Sequence, residues 1–277
     1  MIAKPYAEVI GDPIAHSKSP LIHGFWLEKL GIDAEYRACH VRPGELAGYF
    51  ASRRADPTWR GCNVTIPHKE AVSAFLDFVE PRAQRIGAVN TVWKEGDLLY
   101  GRNTDVEGVS EALSGVDLAG RDVVVIGAGG AARSAFAHLE GLGCASVRVL
   151  ARNPEKANAV VSDFNLPVRS CLLEKGSHAF RDAALVINAT QLGMSGQAQM
   201  PPFVLDELGE MAPGGQVFDM VYAPRATGLL KSAALLGHYP VGGLVMLVGQ
   251  ARGAFARFFG AVPSREFDTE LYGLLSA

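Results

Sequence analysis

A lysine and an aspartate in two polar segments are candidate catalytic residues. Lys69 closes the segment Asn63-Val64-Thr65-Ile66-Pro67-His68-Lys69, which places an amide, a hydroxyl and an ammonium directly after a strand predicted over 61–66. Asp105 follows Thr104, and Thr104 with Glu107 fits a capping box, so the Asp105 carboxylate is not required as the cap. An ammonium can donate a proton and a carboxylate can hold it in place and charged. The alternatives are a solvated lysine and a first-turn acid that the helix dipole favours.

Two serines near the N-terminus could bind a polar ligand. Ser17 and Ser19 lie one residue apart between a predicted strand and a helix predicted over 20–30. Ser19 precedes a proline and is a natural N-cap, but this role leaves Ser17 unexplained. The pair could hold a carboxylate or a hydroxylated ligand. His16 and His23 have no metal-like partner pattern, and we expect both to be solvated or to tether the loop.

Further polar residues stand in apolar surroundings. Asn90 and Thr91 are predicted on the first strand of a hairpin, where buried polar side chains need partners. Gln250 lies in an almost wholly apolar predicted helix, so its amide either is satisfied in the core or contacts a ligand.

A glycine turn predicts a nucleotide site. The apolar run Val123–Ile126 reads as a buried strand, and an amphipathic run to Leu142 after the turn reads as a helix. In the G-x-G-x-x-A spacing, Gly127 permits the turn, Gly129 lets the backbone approach a pyrophosphate, and Ala132 allows close helix packing. The alternative is a plain strand-to-helix corner.

The residue after the next predicted strand indicates whether the site suits NAD or NADP. An NAD-binding sheet carries an acid about 20 residues after the glycines, whereas Arg152 stands there in this chain. A guanidinium can pair with the 2′-phosphate of NADP. The alternative is that Asn153 and Pro154 cap a helix and Arg152 is solvated.

The elements that must position these residues alternate between strand and helix, which predicts an α/β fold. From Gly120 onward the pattern is that of a Rossmann-type sheet. Its predicted strands are Val123–Ile126, Ser146–Leu150, Leu185–Asn188 and Gln216–Asp219, with a less regular one near Pro167–Arg169.

Composition excludes several other classes. The 277 residues are 48% apolar with a net charge of −3, and no block of like charges suggests nucleic acid or a membrane surface. No apolar run reaches the roughly 18 residues that a membrane span requires. The four cysteines are scattered without C-x-x-C spacing, which predicts reduced thiols and no metal site.

Seven segments in the same order resemble the motifs of the shikimate/quinate dehydrogenase family. They are Ser17–Pro20, Asn63–Lys69, Ala88–Thr91, Asn103–Asp105, the glycine turn, Asn188–Thr190 and Met246–Gln250. The resemblance implies reversible reduction of 3-dehydroshikimate to shikimate with NADP(H), on the route to chorismate and aromatic amino acids. It also implies a role for each of three sets of residues. The catalytic pair is Lys69 and Asp105; the substrate-binding residues are Ser17, Ser19, Thr65, Lys69, Asn90, Asp105, Tyr222 and Gln250; the cofactor-binding residues are Gly127, Ala128, Gly129, Gly130, Ala131, Arg152, Lys156, Thr190, Met220 and Gly243.

The chain departs from the family pattern at three places. Its adenosine-phosphate segment reads Ala151-Arg152-Asn153 where the family begins Asn-Arg-Thr. Gly242 stands where an aspartate is usual, and Gln191 where a serine is common. The arginine is kept and Lys156 adds a second cation, so the expectation of NADP stands.

The expected architecture is an N-terminal substrate domain (1–105 plus 245–277) and a Rossmann-type NADP-binding domain (106–244) with an interdomain cleft. The expected partner is a small molecule, not nucleic acid or a membrane, in a cytoplasmic monomer or homodimer. Two alternatives are a quinate or dual quinate/shikimate dehydrogenase that uses NAD(P), and a non-catalytic ligand-sensing module of the same fold.

Overall fold

The computed structural model describes residues 4–174 and 178–276. Residues 1–3, 175–177 and 277 of the expected domain ranges lie outside the described part of the chain. The described residues form two compact units, of which the first runs to Thr104 and resumes at Gln250, and the second runs from Asp105 to Gly249. Each unit is built on its own six-stranded sheet.

The first sheet is mixed. Its strands stand in the order β2-β1-β3-β5-β6-β4, where β1–β3 are mutually parallel and β5 and β6 form an antiparallel hairpin. The carboxyl ends of β1 and β3 therefore lie at the same edge as the start of β5 and the end of β6. The strands are β1 (Tyr6–Gly11), β2 (Glu35–His40), β3 (Trp59–Val64), β4 (Phe78–Val79), β5 (Thr91–Glu95) and β6 (Leu98–Arg102).

Helices cover this first sheet on both faces. A buried cluster that includes Tyr6, Ile10, Phe50, Trp59 and Leu99 forms the core on one side. The helices of the first unit are α1 (Ser19–Lys29), α2 (Leu46–Ala55), α3 (Pro81–Ile86) and α10 (Asp268–Ser276), and α9 (Gly243–Phe259) contains the boundary at residues 249 and 250.

The strands of the second sheet pair in parallel. Its order is β12-β11-β10-β7-β8-β9, which is the strand order 6-5-4-1-2-3 of a doubly wound dinucleotide-binding fold. The order reverses between β7 and β10. The strands are β7 (Asp122–Ile126), β8 (Ser146–Ala151), β9 (Val168–Leu172), β10 (Ala183–Asn188), β11 (Gln216–Asp219) and β12 (Tyr239–Gly242).

Apolar strands explain why this sheet is buried on both faces. Val123–Ile126 and Leu185–Ile187 are fully buried, and Phe180, Val204 and Leu229 pack against one side. The helices of this unit are α4 (Asp105–Ala112), α5 (Gly130–Leu139), α6 (Pro154–Val161), α7 (Pro202–Glu207) and α8 (Gly228–Leu235).

The structure confirms the five predicted strands of the second sheet and shifts some boundaries. The glycine helix ends at Leu139, three residues before the expected Leu142. Strand β12 has no counterpart in the sequence predictions. It is a four-residue edge strand that contains Pro240, and proline is tolerated only at such edges.

Within residues 4–174 and 178–276, no helix is long and apolar enough to cross a membrane. The same residues contain no group of three or more His, Cys, Asp or Glu side chains that could hold a metal ion.

Candidate active site

In the first unit, polar residues collect at the carboxyl edge of the parallel strands. Thr65 follows β3, and its main-chain N–H donates to the Ile10 carbonyl at the end of β1 over 3.0 Å. Its side chain lies so close to β1 that a Cβ on Gly11 would come within 2.6 Å of Thr65 Cγ2. Ligands of open α/β sheets bind at such strand ends.

The serine loop lies between β1 and α1, and Ser19 does not have the N-cap role that was one of its two interpretations. Ser19 is the first residue of α1, and the residue at the cap position is Lys18, whose side chain makes no capping hydrogen bond. The Ser17 hydroxyl instead accepts the main-chain N–H of Ser19 over 3.3 Å. Ser19 is buried, whereas Ser17 is half-buried.

Lys69 occupies a fixed, half-buried position. It lies in a turn before a short 3₁₀ helix at Ala71–Phe75. The Lys69 carbonyl accepts the main-chain N–H of Val89 over 2.8 Å. Its neighbour His68 is buried, and the His68 Nε2 lies 2.6 Å from the Val41 carbonyl. The turn that carries Lys69 is therefore hydrogen-bonded to the chain on both sides.

Asn90 lies next to this turn and is surrounded by hydrogen-bond donors. Its Oδ1 accepts the main-chain N–H of Thr104 over 2.7 Å and the Thr91 hydroxyl over 3.0 Å. The expectation that the Asn90-Thr91 pair needs partners is therefore confirmed. Asp105 directly follows Thr104 and is a buried first residue of α4.

The prediction that His23 is solvated or tethers the loop is wrong. The histidine is instead fully buried on α1 and stacked on Tyr36 with 3.9 Å between ring centroids. Burial lowers the pKa of the His23 imidazole to about 3, so the ring is neutral.

In the second unit, the glycine turn faces the point at which the strand order reverses. Gly127 has a φ of +102°, and a Cβ there would come within 2.7 Å of Thr190 Cγ2. Gly129 and Gly130 have open space where a Cβ would stand, so packing within the protein does not require glycine at either position. Ala128 and Ala131 flank them. Helix α5 begins at Gly130 and directs unpaired N–H groups and its positive dipole end towards this space, as a pyrophosphate site requires.

Arg152 follows directly after β8 and is exposed, as is Lys156. Among the described residues, no acidic side chain forms an ion pair with either of them. Asn153 caps α6, since its side chain accepts the main-chain N–H of Lys156 over 2.9 Å. Both cationic side chains could therefore bind a phosphate group at the carboxyl edge of this sheet.

The ends of β10 and β11 are tied together by Asp219, which the sequence analysis did not single out. This fully buried carboxylate accepts from Asn188 Nδ2 over 2.9 Å, from Val221 N over 3.0 Å and from the Thr227 hydroxyl over 2.6 Å. Burial raises the pKa of the Asp219 carboxyl. Asn188 Oδ1 in turn accepts the Thr190 hydroxyl over 2.7 Å.

Two further predicted cofactor residues lie together beside this network. A Cβ on Gly243 would come within 2.3 Å of the Met220 carbonyl oxygen, so only glycine fits at the start of α9. Of the predicted substrate residues, Tyr222 is exposed after β11 in the second unit, whereas Gln250 is buried on α9 in the first. The first unit thus holds Ser17, Ser19, Thr65, Lys69, Asn90 and Gln250, and the second holds Asp105, Tyr222 and every predicted cofactor residue.

The sequence matches known proteins along nearly its whole length. Residues 9–92 match the family model of the shikimate dehydrogenase substrate binding domain, and residues 109–194 match that of shikimate / quinate 5-dehydrogenase. A shikimate dehydrogenase (NADP(+)) from Sphingopyxis alaskensis is 48% identical over 99% of this chain and 98% of its own.

Solved structures agree with the sequence relatives. The shikimate 5-dehydrogenase of Thermus thermophilus in complex with NADP(H) and shikimate is 36% identical, with a TM-score of 0.84 over 98% of this chain and 99% of that chain. The shikimate dehydrogenase of Aquifex aeolicus is 30% identical, with a TM-score of 0.86 over 98% and 99% of the two chains. The resemblance found in the sequence is thereby confirmed, and the chain belongs to the shikimate dehydrogenase family.

Proposed function

We propose that this protein catalyses the reversible NADP-dependent reduction of 3-dehydroshikimate to shikimate. The observation that carries the proposal is the 48% identity to a shikimate dehydrogenase (NADP(+)), which extends over 99% of the chain. The first unit would bind the substrate and the second would bind NADP(H).

The substrate would bind at the carboxyl edge of β1 and β3. Shikimate carries a carboxylate and ring hydroxyls, which need donors and acceptors at fixed positions. Ser17 comes from the loop after β1, Ser19 from the start of α1, Thr65 from the turn after β3, and Asn90 from the position directly before β5. We assign these four residues, with Tyr222 and Gln250, to the substrate.

The chemistry needs a proton donor at the ketone oxygen. NADPH, when bound, supplies the hydride that adds to the ketone carbon, and the carbonyl oxygen then carries the developing negative charge. The Lys69 ammonium would donate a proton to that oxygen and become a neutral amine. In the reverse direction the neutral amine would take the proton from the substrate hydroxyl.

Asp105 would keep the lysine charged and in place. Two opposite unit charges about 4 Å apart attract by roughly 4 kcal/mol at an effective dielectric constant of 20, less what water screens. We assign Asp105 first to orienting Lys69 and second to carrying its proton.

The selection of NADP would rest on cations at the end of β8. Arg152 and Lys156 are exposed there, and a charge-assisted hydrogen bond to the 2′-phosphate is worth roughly 1.5–3 kcal/mol. The glycine turn and the N-terminus of α5 would hold the pyrophosphate, with Thr190, Met220 and Gly243 on the nicotinamide side.

We also propose that the enzyme works in the cytoplasm as a monomer or homodimer. Cys39, Cys62, Cys144 and Cys171 are all unpaired thiols, which suits a reducing compartment. Fractionation of the source cells and light scattering of the purified protein would test location and oligomeric state.

The activity can be tested with four combinations of substrate and cofactor. Purified protein is incubated with shikimate or quinate and with NADP or NAD, and the reduced cofactor is followed by its absorbance. We expect the fastest turnover with shikimate and NADP. Faster turnover of quinate would favour a quinate dehydrogenase, and binding of shikimate without turnover on any combination would favour a ligand-sensing module.

A further inference from the structure

Tyr36 is connected through Asn63 to Asn90, a residue assigned to the substrate, although no motif in the sequence includes Tyr36. This tyrosine on β2 is buried, and its hydroxyl donates to Asn63 Oδ1 over 2.7 Å. The tyrosine ring stacks on His23 with an interplanar angle of 5°, so the phenol has little freedom to move.

The orientation of the Asn63 amide follows from its partners. One end of the amide lies 3.3 Å from the Asn90 main-chain carbonyl, which can only accept. That end must therefore be Nδ2, and the other end, Oδ1, must accept the Tyr36 proton. Tyr36 and Asn63 thus have a single consistent arrangement of donors and acceptors.

The same reasoning extends to Asn90 through Thr91. Asn63 Nδ2 donates to Thr91 Oγ1 over 3.2 Å, and the Thr91 hydroxyl lies 3.0 Å from Asn90 Oδ1 and 3.1 Å from the Thr104 hydroxyl. The Thr104 main-chain N–H, which can only donate, reaches the same Oδ1 over 2.7 Å. Oδ1 of Asn90 therefore accepts hydrogen bonds from within the protein. Towards a substrate, the carboxamide would act as a donor through its Nδ2 group.

We propose that Tyr36 is a positioning residue, the start of a buried relay Tyr36–Asn63–Thr91–Asn90 that holds Asn90 in place, so that its carboxamide, oriented by Thr104, donates a hydrogen bond to the substrate. The relay suits a substrate oxygen with lone pairs, such as a ring hydroxyl or a ketone, and disfavours a substrate ammonium at this point. The inference deepens the proposed function and rests on the assignment of Asn90 to the substrate.

The first test is Tyr36→Phe, which removes one oxygen atom and keeps the ring. Without the phenol proton, Asn63 Oδ1 loses its donor, and the amide that contacts Asn90 and Thr91 is held from one end only. We expect the KM and the dissociation constant for shikimate to rise roughly five- to tenfold, as for loss of one hydrogen bond. The kcat and the KM for NADP should change less than about twofold.

The matched control is Tyr6→Phe. Tyr6 belongs to the same sheet, but the β1–β2 register aligns it with Glu35, so it faces the side opposite to Tyr36. Its hydroxyl donates to Asp56 over 2.8 Å and takes no part in the relay. Tyr6→Phe should leave shikimate affinity unchanged.

A double-mutant cycle distinguishes a relay from two separate structural effects. Thr91→Val interrupts the relay one step later, so Tyr36→Phe with Thr91→Val should bind shikimate no more weakly than the weaker single variant. If the losses of shikimate affinity in the two single variants instead multiply in the double variant, the relay is wrong. Tyr6→Phe combined with Thr91→Val should show the loss of Thr91→Val alone.

The outcomes also separate this inference from the proposed function. If the unsubstituted protein does not bind shikimate in calorimetry, the proposed function fails. If it binds shikimate and folded Tyr36→Phe binds equally well, only the relay fails. Were Tyr36→Phe to unfold, the pair Thr91→Val and Thr91→Ser decides, since the relay requires the serine variant to retain the affinity that the valine variant loses.

Discussion

Gly127 lies directly against Thr190, where a Cβ on the glycine would come within 2.7 Å of the threonine Cγ2. The two residues follow β7 and β10, the neighbouring strands between which the strand order reverses. Nucleotides bind outside the carboxyl ends of strands at this point of a doubly wound sheet. Thr190 therefore leaves no space for a side chain at position 127, in the turn that would receive the cofactor.

Alanine at positions 127 and 129 should separate folding from cofactor binding. Gly127→Ala meets Thr190 and must adopt a φ of +102°, so we expect a loss of at least about 2 kcal/mol of unfolding free energy. Gly129→Ala enters open space at a φ of −85°, so it should retain stability and weaken NADP binding at least about tenfold by blocking the pyrophosphate. Denaturant unfolding and titration with NADP measure the two effects. Unchanged NADP affinity in Gly129→Ala would contradict the assignment of the turn.

Replacing Lys69 should remove the proton donor. We expect Lys69→Ala to lower kcat by at least about 100-fold, the lower range for loss of general acid–base catalysis, with an unchanged dissociation constant for NADP. Lys94→Ala is the control, since Lys94 Nζ donates to the Arg54 and Asp56 carbonyls elsewhere in the same unit. A kcat for Lys69→Ala within a few-fold of the unsubstituted enzyme would exclude Lys69 from the mechanism.

Arg152→Ser should reduce the preference for NADP over NAD. The loss of one charge-assisted hydrogen bond predicts a fall in kcat/KM for NADP of roughly tenfold to a hundredfold, with little change for NAD. Arg121→Ser provides the control, because Arg121 is also exposed but precedes β7 at the opposite edge of the sheet. Equal losses for NADP and NAD would mean that Arg152 does not contact the 2′-phosphate.

His23 should make the stability of the protein sensitive to acid. The folded-state pKa is about 3 because of burial, whereas the unfolded value is near 6.5. Between pH 6.5 and 3 the unfolded chain takes up a proton at this histidine and the folded protein does not. The contribution of His23 to the unfolding free energy is therefore fully present above about pH 6.5. It declines by up to about 1.4 kcal/mol per pH unit as the pH falls towards 3. His23→Phe should show a weaker decline, measured by urea unfolding between about pH 7 and 5.

Phenylalanine is the suitable replacement at this position. Trp26 and Phe255 pack around the His23 ring, and neither imidazole nitrogen has a hydrogen-bond partner among the described residues. Equal pH dependence in the two proteins would show that the imidazole does not carry this effect.

Local sequence patterns predicted the strands of the second sheet well. The strand Gln216–Asp219 was predicted with its observed ends, because a short apolar run stands between turn residues. Strand β12 was missed because Tyr239-Pro240-Val241-Gly242 is short, half exposed and interrupted by proline. It is a strand only because β11 pairs with it, which is a tertiary effect.

Side-chain partners were harder to predict than strands. Serine before proline is typical of an N-cap, yet α1 begins at Ser19 itself and Lys18 stands at the cap position. His23 was expected near solvent because an isolated histidine carries no signal for burial. Tyr36 lies in an alternating strand like any apolar residue, and only the packing of α1 against β2 brings it to His23. The order of the motifs was therefore sufficient to predict the family, whereas the hydrogen-bond partners of Tyr36 follow only from the three-dimensional structure.

The hairpin of β5 and β6 begins and ends at one edge of its sheet, since the Asn90 N–H donates to the Arg102 carbonyl over 3.1 Å. Its tip at Gly96 is exposed and has open space around the position of a Cβ. Extra residues inserted at the tip would lengthen the ribbon outward and leave Asn90 and Thr104 in place. Position 96 is therefore a suitable point for attaching a fluorophore or a purification tag to an active enzyme.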